Sequence, residues 1–234
     1  MSQILSVQEA ADHLGVNAQR VRALIVQDRL PAQLVGRDYV LDSAAVAAFA
    51  RLPRVQGRPL SARNAWALLA ALSGIGEWES ARGRSRDRMR ALLRHGGDAV
   101  INALLHSQSR SEIHVWRVLP FDLERLLDDP LLVRSGLAAN HKLIDVRFDP
   151  SRDGLDAYVS AASLEALERR LQPSLNSDAA NLLLRVPVES SWILSEEIGE
   201  MAPPAVAAAD LLRHHDERVR RAASSALRRI TDSD

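Results

Sequence analysis

Cysteine is absent from the 234 residues, which excludes a disulfide framework, a thiolate nucleophile and any Cys-based zinc site. Lysine is almost absent as well, since all of the thirty basic residues except Lys142 are arginine. With the abundance of alanine, that skew reflects a GC-rich genome better than selection for phosphate binding. No uninterrupted apolar run approaches the roughly 18 residues of a membrane-spanning helix. The opening MSQILSVQEA lacks the basic and apolar regions of a secretory leader. The expected location is the cytoplasm, with no membrane partner.

The chain also lacks a net charge, and this argues at first against a nucleic-acid partner. The charge is unevenly spread, however. Residues 51–94 carry ten arginines against Glu77, Glu79 and Asp87. The balancing acids fall mostly between Glu112 and Glu200, which polarises the sequence into a basic first third and a more acidic remainder. An apolar content of 47% supports a packed core, either one large domain or two modest ones.

Local signals are densest at the start. Ser6 followed by Glu9 has capping-box spacing, and Val7, Ala10, Ala11 and Leu14 form a helical stripe that ends at Gly15, predicting a helix over 7–14. Asn17 is a second N-cap, for a helix from about 18 to 27 that buries Val21, Leu24 and Ile25. Two short helices joined by a glycine turn make a helix-turn-helix. Leu30 to Val35 and Asp38 to Leu41 then read as a hairpin reversed at Gly36-Arg37, a wing, after which Asp42 caps a third helix carrying Val46, Ala47 and Phe49.

Pro53 and the stretch to Pro59 break this pattern, and Ser61 caps a new helix with Ala65, Trp66, Leu69 and Leu72 at helical spacing. A polar stretch from Ser73 to Gly83 precedes a basic helix from about Ser85 to Arg94. Farther on, strands are expected at Glu112–Val118 and Tyr158-Val159, an extended stretch near Leu143–Phe148 and a β-like segment over Asn181–Val188. Helices are expected at Phe121–Leu127, Leu164–Leu171, about 203–214 and 216–230. The expected fold class is α+β and mainly helical: a winged helix-turn-helix domain over 1–52, a linker over 53–60, and a larger mixed α+β domain over 61–234 that binds an effector or a partner.

The N-terminal segments Leu5–Ala11, Leu14–Asn17, Val21-Arg22, Arg29–Ala32 and Val35–Arg37, in this order and spacing, resemble the excisionase-type, MerR-like winged helix-turn-helix family. The resemblance implies double-stranded DNA as the partner, with the second helix presenting its first exposed side chains to base edges in the major groove. Asn17, Gln19 and Arg20 lie opposite Val21, Leu24 and Ile25 and suit that role, because arginine reads guanine bidentately while Asn or Gln reads adenine. Arg37 at the wing tip and Tyr39 beside it suit backbone or groove contacts. Arg22 suits either a phosphate or an ion pair with an acid of the domain. The plain alternative is a helix-turn-helix used only for protein contacts. Seven arginines against five acids up to Arg58 make one copy a weak binder. A stable operator complex needs a homodimer on a two-fold site or help from the basic segment, including Arg54 and Arg58. That segment reads equally as a solvated face, although Arg82, Arg86 and Arg90 share one side of a helix that begins early enough.

Enzyme signatures are missing: no phosphate-binding glycine loop, Gly-x-Ser-x-Gly elbow or closely spaced catalytic acid pair stands out. The seven histidines are scattered apart from His214-His215, whose adjacency on a helix would point them in different directions. His114 reads as a packed or surface residue, Asp128-Asp129 and Glu196-Glu197 as surface charge, and Trp116 and Trp192 as core anchors. No catalysis, metal or cofactor is expected.

A second set of segments, Arg58–Leu69, Leu131–Ala139, Asn181–Pro187 and Ala202–Leu212, looks like actinobacterial helix-turn-helix regulators and is similar to AbiEi-type antitoxins. This second resemblance implies a repressor of its own operon that also counters a nucleotidyltransferase-like toxin. Three functions stay open. An autoregulatory antitoxin predicts a neighbouring toxin gene and an inverted repeat upstream. A one-component regulator predicts a cavity of several hundred Å³ with a few convergent polar groups. A recombination directionality factor predicts DNA bending, against which the long second domain counts.

Overall fold

The computed structural model describes residues 4–26, 30–35, 38–51, 59–76, 83–175 and 179–233. The fold is α+β, and the chain divides into two compact units, Met1–Gln56 and Gly57–Asp234.

The first unit runs β1 (Ile4–Ser6), α1 (Val7–Leu14), α2 (Ala18–Val26), β2 (Gln33–Val35), β3 (Asp38–Asp42) and α3 (Ser43–Arg51). Its start is fixed by a reciprocal cap: the Glu9 amide donates to Ser6 Oγ at 3.2 Å, and Glu9 Oε2 accepts from the Ser6 amide at 2.8 Å. Gly15 ends α1 in the left-handed region at φ 61°, where a side chain would be strained. Asn17 Oδ1 then accepts from the Arg20 amide and starts α2, and Asp42 Oδ1 accepts from the Ala44 amide and starts α3. β3 is the middle strand of three, pairing antiparallel with β2 and with β1. The β1 strand was not legible in the sequence, because three residues are too few to show an alternation. Leu5, Ala10, Ala11, Leu14, Val21, Leu24, Leu30, Leu41 and Val46 close one small core.

The second unit contains α4 (Ala62–Leu72), α5 (Arg84–Arg94), α6 (Gly97–Leu105), β4 (Ser111–Arg117), α7 (Pro120–Leu126), β5 (Val133–Arg134), α8 (Pro150–Asp153), β6 (Leu155–Tyr158), α9 (Ala161–Leu171), β7 (Ser174–Leu175), β8 (Leu182–Pro187), α10 (Pro204–Leu211) and α11 (Glu217–Asp232). Its sheet has the order β5-β6-β8-β4-β7, with β6 and β8 parallel and the other neighbours antiparallel. Because side chains alternate along a strand, the two faces bury different partners. Trp116, Leu155, Ala157, Leu182 and Leu184 pack with Leu123 and Leu126 of α7 and Leu167 of α9. Tyr158, from the opposite face, joins a larger core with Trp66 of α4 and residues of α6, α10 and α11. Trp66 and Trp192 meet edge to face at 5.5 Å. Helix α6 lies so close to α11 that a Cβ on Gly97 would stand 2.5 Å from the Arg228 Cα.

Several sequence expectations change here. The stretch Leu143–Phe148 is an irregular loop, not a strand: Ile144 is buried and its amide donates to His141, the Leu143 carbonyl accepts from the Arg229 side chain, and among the described residues no strand pairs with it. Helix α6 was not anticipated. Its Gly97, Val100, Ile101 and Leu104 are buried at helical spacing with Asp98 exposed, but the helix opens on the pair Gly96-Gly97, which reads as a turn in the sequence. Helix α10 ends at Leu211, and His214-His215 lie in the turn before α11 with ring centroids 4.2 Å apart. They face each other rather than diverging on a helix. The Asp128-Asp129 pair is not simply surface charge, since Asp129 is 9% exposed and bonds Arg170 at 2.5 Å. Trp116 and Trp192 are buried.

Candidate functional site

In the first unit, α2 places its side chains by helical period. Val21 and Leu24 are buried and Ile25 is half-buried, which leaves Gln19, Arg20 and Arg22 exposed on the opposite side beside exposed Asn17. These four side chains are brought together at the start of one helix. Asn17 is partly committed, because its Oδ1 caps the helix, but its amide nitrogen is a further donor. Arg20 and Arg22 form no ion pair among the described residues, so the acid partner considered for Arg22 is not found there. Tyr39 differs from the other candidates. It is half-buried, sits opposite Leu34 in the β2–β3 register and packs against the core of the unit. The register of the wing strands pairs Val35 with Asp38. Arg37, and Arg54 and Arg58 beyond α3, lie outside the described residues. So does Arg82; α5 begins at Arg84, with Arg86 half-buried and Arg90 exposed.

Two short helices with an exposed polar N-terminus on the second, followed by a β-hairpin, define a winged helix-turn-helix. The helix-turn-helix domain family matches residues 4–51. The N-terminal unit therefore carries an excisionase-like, DNA-binding helix-turn-helix domain. No curated protein and no solved structure matches the chain.

The second unit holds a different constellation, which sequence reading missed. The Asp210 side chain on α10 is wholly buried. Its Oδ1 accepts from Arg110 Nη2 at 2.7 Å, its Oδ2 from Ser135 Oγ at 2.7 Å, and both oxygens lie within 3.0 Å of the Tyr158 hydroxyl. Arg185 on β8 grips Asp156 on β6 through two bonds of 2.6 and 2.7 Å and lies 3.7 Å from Asp210. Burial pushes the Asp156 carboxyl above its usual range, against the pull of Arg185. Burial, reinforced by the Asp210 charge, raises the Tyr158 phenol, which keeps it a hydrogen-bond donor. Burial opposes the Arg185 charge, but Asp210 and Asp156 together hold its pKa above the ordinary arginine value. The signal for this network was a lone carboxylate in the apolar run Ala205–Leu212 and two charges inside the apolar strands β6 and β8.

The network opens onto a cleft of about 510 Å³ between β4 and β8 on one side and the ends of α6 and α10 on the other. Arg110, Asp156, Arg185, Asp210 and His214 line it together with Ile113, Leu183 and Leu211. The His214 Nδ1 accepts from the Asp216 amide at 3.1 Å. Burial and the neighbouring His215 lower its pKa, which favours the neutral ring. Among the described residues no group of three or more His, Asp or Glu is arranged to hold a metal ion, and no helix there is long and apolar enough to cross a membrane.

Proposed function

We propose that this chain is a sequence-specific DNA-binding transcriptional repressor, non-catalytic and active in the cytoplasm, that acts on its own promoter. The observation that carries the reading is the exposed cluster Asn17, Gln19, Arg20 and Arg22 at the start of α2, in the helix-turn-helix domain. Asn17, Gln19 and Arg20 read bases; Arg22, Arg37, Arg54 and Arg58 contact phosphates, and Tyr39 supports the wing from the protein side. The seven arginines and five acids up to Arg58 leave one copy with too small an excess charge for tight binding, which favours a homodimer on a two-fold site. Residues 1–52 form the DNA-binding domain, 53–60 the linker and 61–234 the regulatory domain.

For that regulatory domain, the resemblance to AbiEi-type proteins supports an antitoxin that counters a nucleotidyltransferase-like toxin. The cleft supports a second reading, a one-component regulator, because its volume and convergent polar groups are those expected of a small-molecule site. A recombination directionality factor draws support from the excisionase-like domain alone.

The test is an anisotropy titration of the full chain against its own upstream region, with a random duplex of equal length as competitor and salt varied. Specific, salt-sensitive binding is expected. Affinity equal to that for the random duplex would demote the domain to protein contacts.

A further inference from the structure

Among the charged groups of the cleft, the unspent hydrogen-bonding capacity lies with the arginines. Both oxygens of Asp210 are occupied by Arg110, Ser135 and Tyr158, and both oxygens of Asp156 by Arg185. Arginine presents five N–H donors and no acceptor. Arg110 spends Nη2 on Asp210, and Arg185 spends Nε and Nη2 on Asp156. Arg185 Nη1 faces Asp210 Oδ1 at 3.7 Å, beyond hydrogen-bond distance, and among the described residues Arg110 Nη1 and Nε have no hydrogen-bond acceptor. The guanidinium groups are nevertheless held rigidly, at 12% and 14% side-chain exposure, by the buried carboxylate between them. The third polar wall adds another donor: with Nδ1 of His214 accepting from a backbone amide, the ring proton sits on Nε2. Every carboxylate oxygen of the network thus already accepts a hydrogen bond, while guanidinium donors remain.

Of the remaining lining, Ser107, Gln108, Ser109 and Ser111 are polar, and one wall is aliphatic. Ile113 on β4 is 45% exposed although it stands on a sheet face, and Leu183 and Leu211 flank it. A concave site with fixed guanidinium donors at one end and an aliphatic wall at the other suits a ligand with an acidic head and an apolar body.

We infer that this cleft binds a small amphipathic organic anion, a carboxylate or a phosphate monoester, with its acidic head on Arg110 and Arg185 and its apolar body against Ile113 and Leu183. The inference rests on the regulator reading of the second unit and names the ligand class of that reading. Bidentate geometry makes arginine the favoured partner of either head group.

The experiment titrates the full-length protein with anilinonaphthalene sulfonate, followed by fluorescence, and then competes the probe with decanoate, phenyl phosphate, inorganic phosphate and decanol. Saturable binding is expected, with displacement by decanoate or phenyl phosphate well before decanol or inorganic phosphate acts. Displacement by decanoate alone assigns a carboxylate ligand, and by phenyl phosphate alone a phosphate ester. Arg110→Lys keeps a charge beside Asp210 but removes the planar fork, so it should weaken the probe about tenfold, the loss of one charge-assisted hydrogen bond. Ile113→Trp leaves the buried network intact and fills the cleft, with the same expected loss at an unchanged melting temperature. Equal competition by decanol and decanoate, or wild-type affinity in Ile113→Trp, overturns the inference. No DNA is present in the assay, so its failure leaves the DNA-binding reading standing, and a failed promoter titration leaves the cleft standing.

Discussion

Arg110 and Asp210, a hundred residues apart in sequence, form an ion pair of 2.7 Å whose carboxylate side chain has no solvent exposure. The Arg110 backbone carbonyl also accepts from the Trp66 indole at 3.0 Å, tying α4 to the same point. A buried charge of this kind is retained only while each partner is matched. Asp210→Ala strands the Arg110 guanidinium and the Ser135 and Tyr158 hydroxyls, while Arg185 keeps Asp156, and should cost about 3–5 kcal/mol of stability. Urea denaturation followed by tryptophan fluorescence reads this directly, since Trp66 and Trp192 lie in the adjoining core. An unchanged midpoint would mean the network contributes nothing.

The capping box at Ser6 is local and testable locally. Ser6→Ala should cost about 1 kcal/mol, the usual loss of an N-cap. Hydrogen exchange of the α1 amides should accelerate while those of α10 and α11 keep their protection. The Glu9 carboxyl is held below its usual pKa by its hydrogen bonds to Ser6. A depressed carboxyl binds more protons unfolded than folded, so its contribution is present above pH 4.5 and fades as pH falls through the lower folded value. Protection of α1 that stayed constant from pH 6 to about 3 would contradict that assignment.

On DNA, Arg20→Ala should lower discrimination by about 1–3 kcal/mol at one base position. Arg37→Ala should weaken binding to every sequence alike and flatten the slope of log affinity against log salt by about 1. Anisotropy titrations on operator and scrambled duplexes at several salt concentrations separate the two. If both variants kept wild-type affinity and salt slope, α2 and the wing would not be the docking elements.

The turn at His214 should respond to acid. Its pKa is lowered by burial and by His215, so the unfolded chain takes up a proton on this ring at a higher pH than the folded protein does. Its contribution to stability is therefore complete above pH 6.5 and is lost as pH falls below that value towards the lower folded pKa. Protonation also removes the acceptor for the Asp216 amide. His214→Asn retains a carbonyl acceptor without the titration. The melting temperature of the variant should fall less than that of the wild type between pH 7 and about 5. Parallel curves would place the acid sensitivity elsewhere.

The sequence by itself determined the first unit almost element by element. The signals there act within four residues: Ser6 with Glu9, Gly15 in a left-handed conformation, Asn17 with Arg20, Asp42 with Ala44. A capping hydrogen bond and a helical stripe need no distant partner, so the pattern in the chain already contains the cause. The exposed cluster on α2 follows from the same periodicity, because burying Val21 and Leu24 forces Gln19, Arg20 and Arg22 outward. Tertiary structure alone decided the rest. Helix α6 opens on Gly96-Gly97, a turn signal in the sequence that becomes a helix start only where Gly97 packs against Arg228 of α11, and the stretch Leu143–Phe148 found no strand to pair with. The cleft exists only because α10 brings Asp210 to Arg110 and Tyr158, while the parallel pairing of β6 with β8 sets Asp156 beside Arg185. Those charges are separated along the chain by 29 to 100 residues. No local rule connects them, and only the cost of burying each one unpaired selects the arrangement in which all are matched.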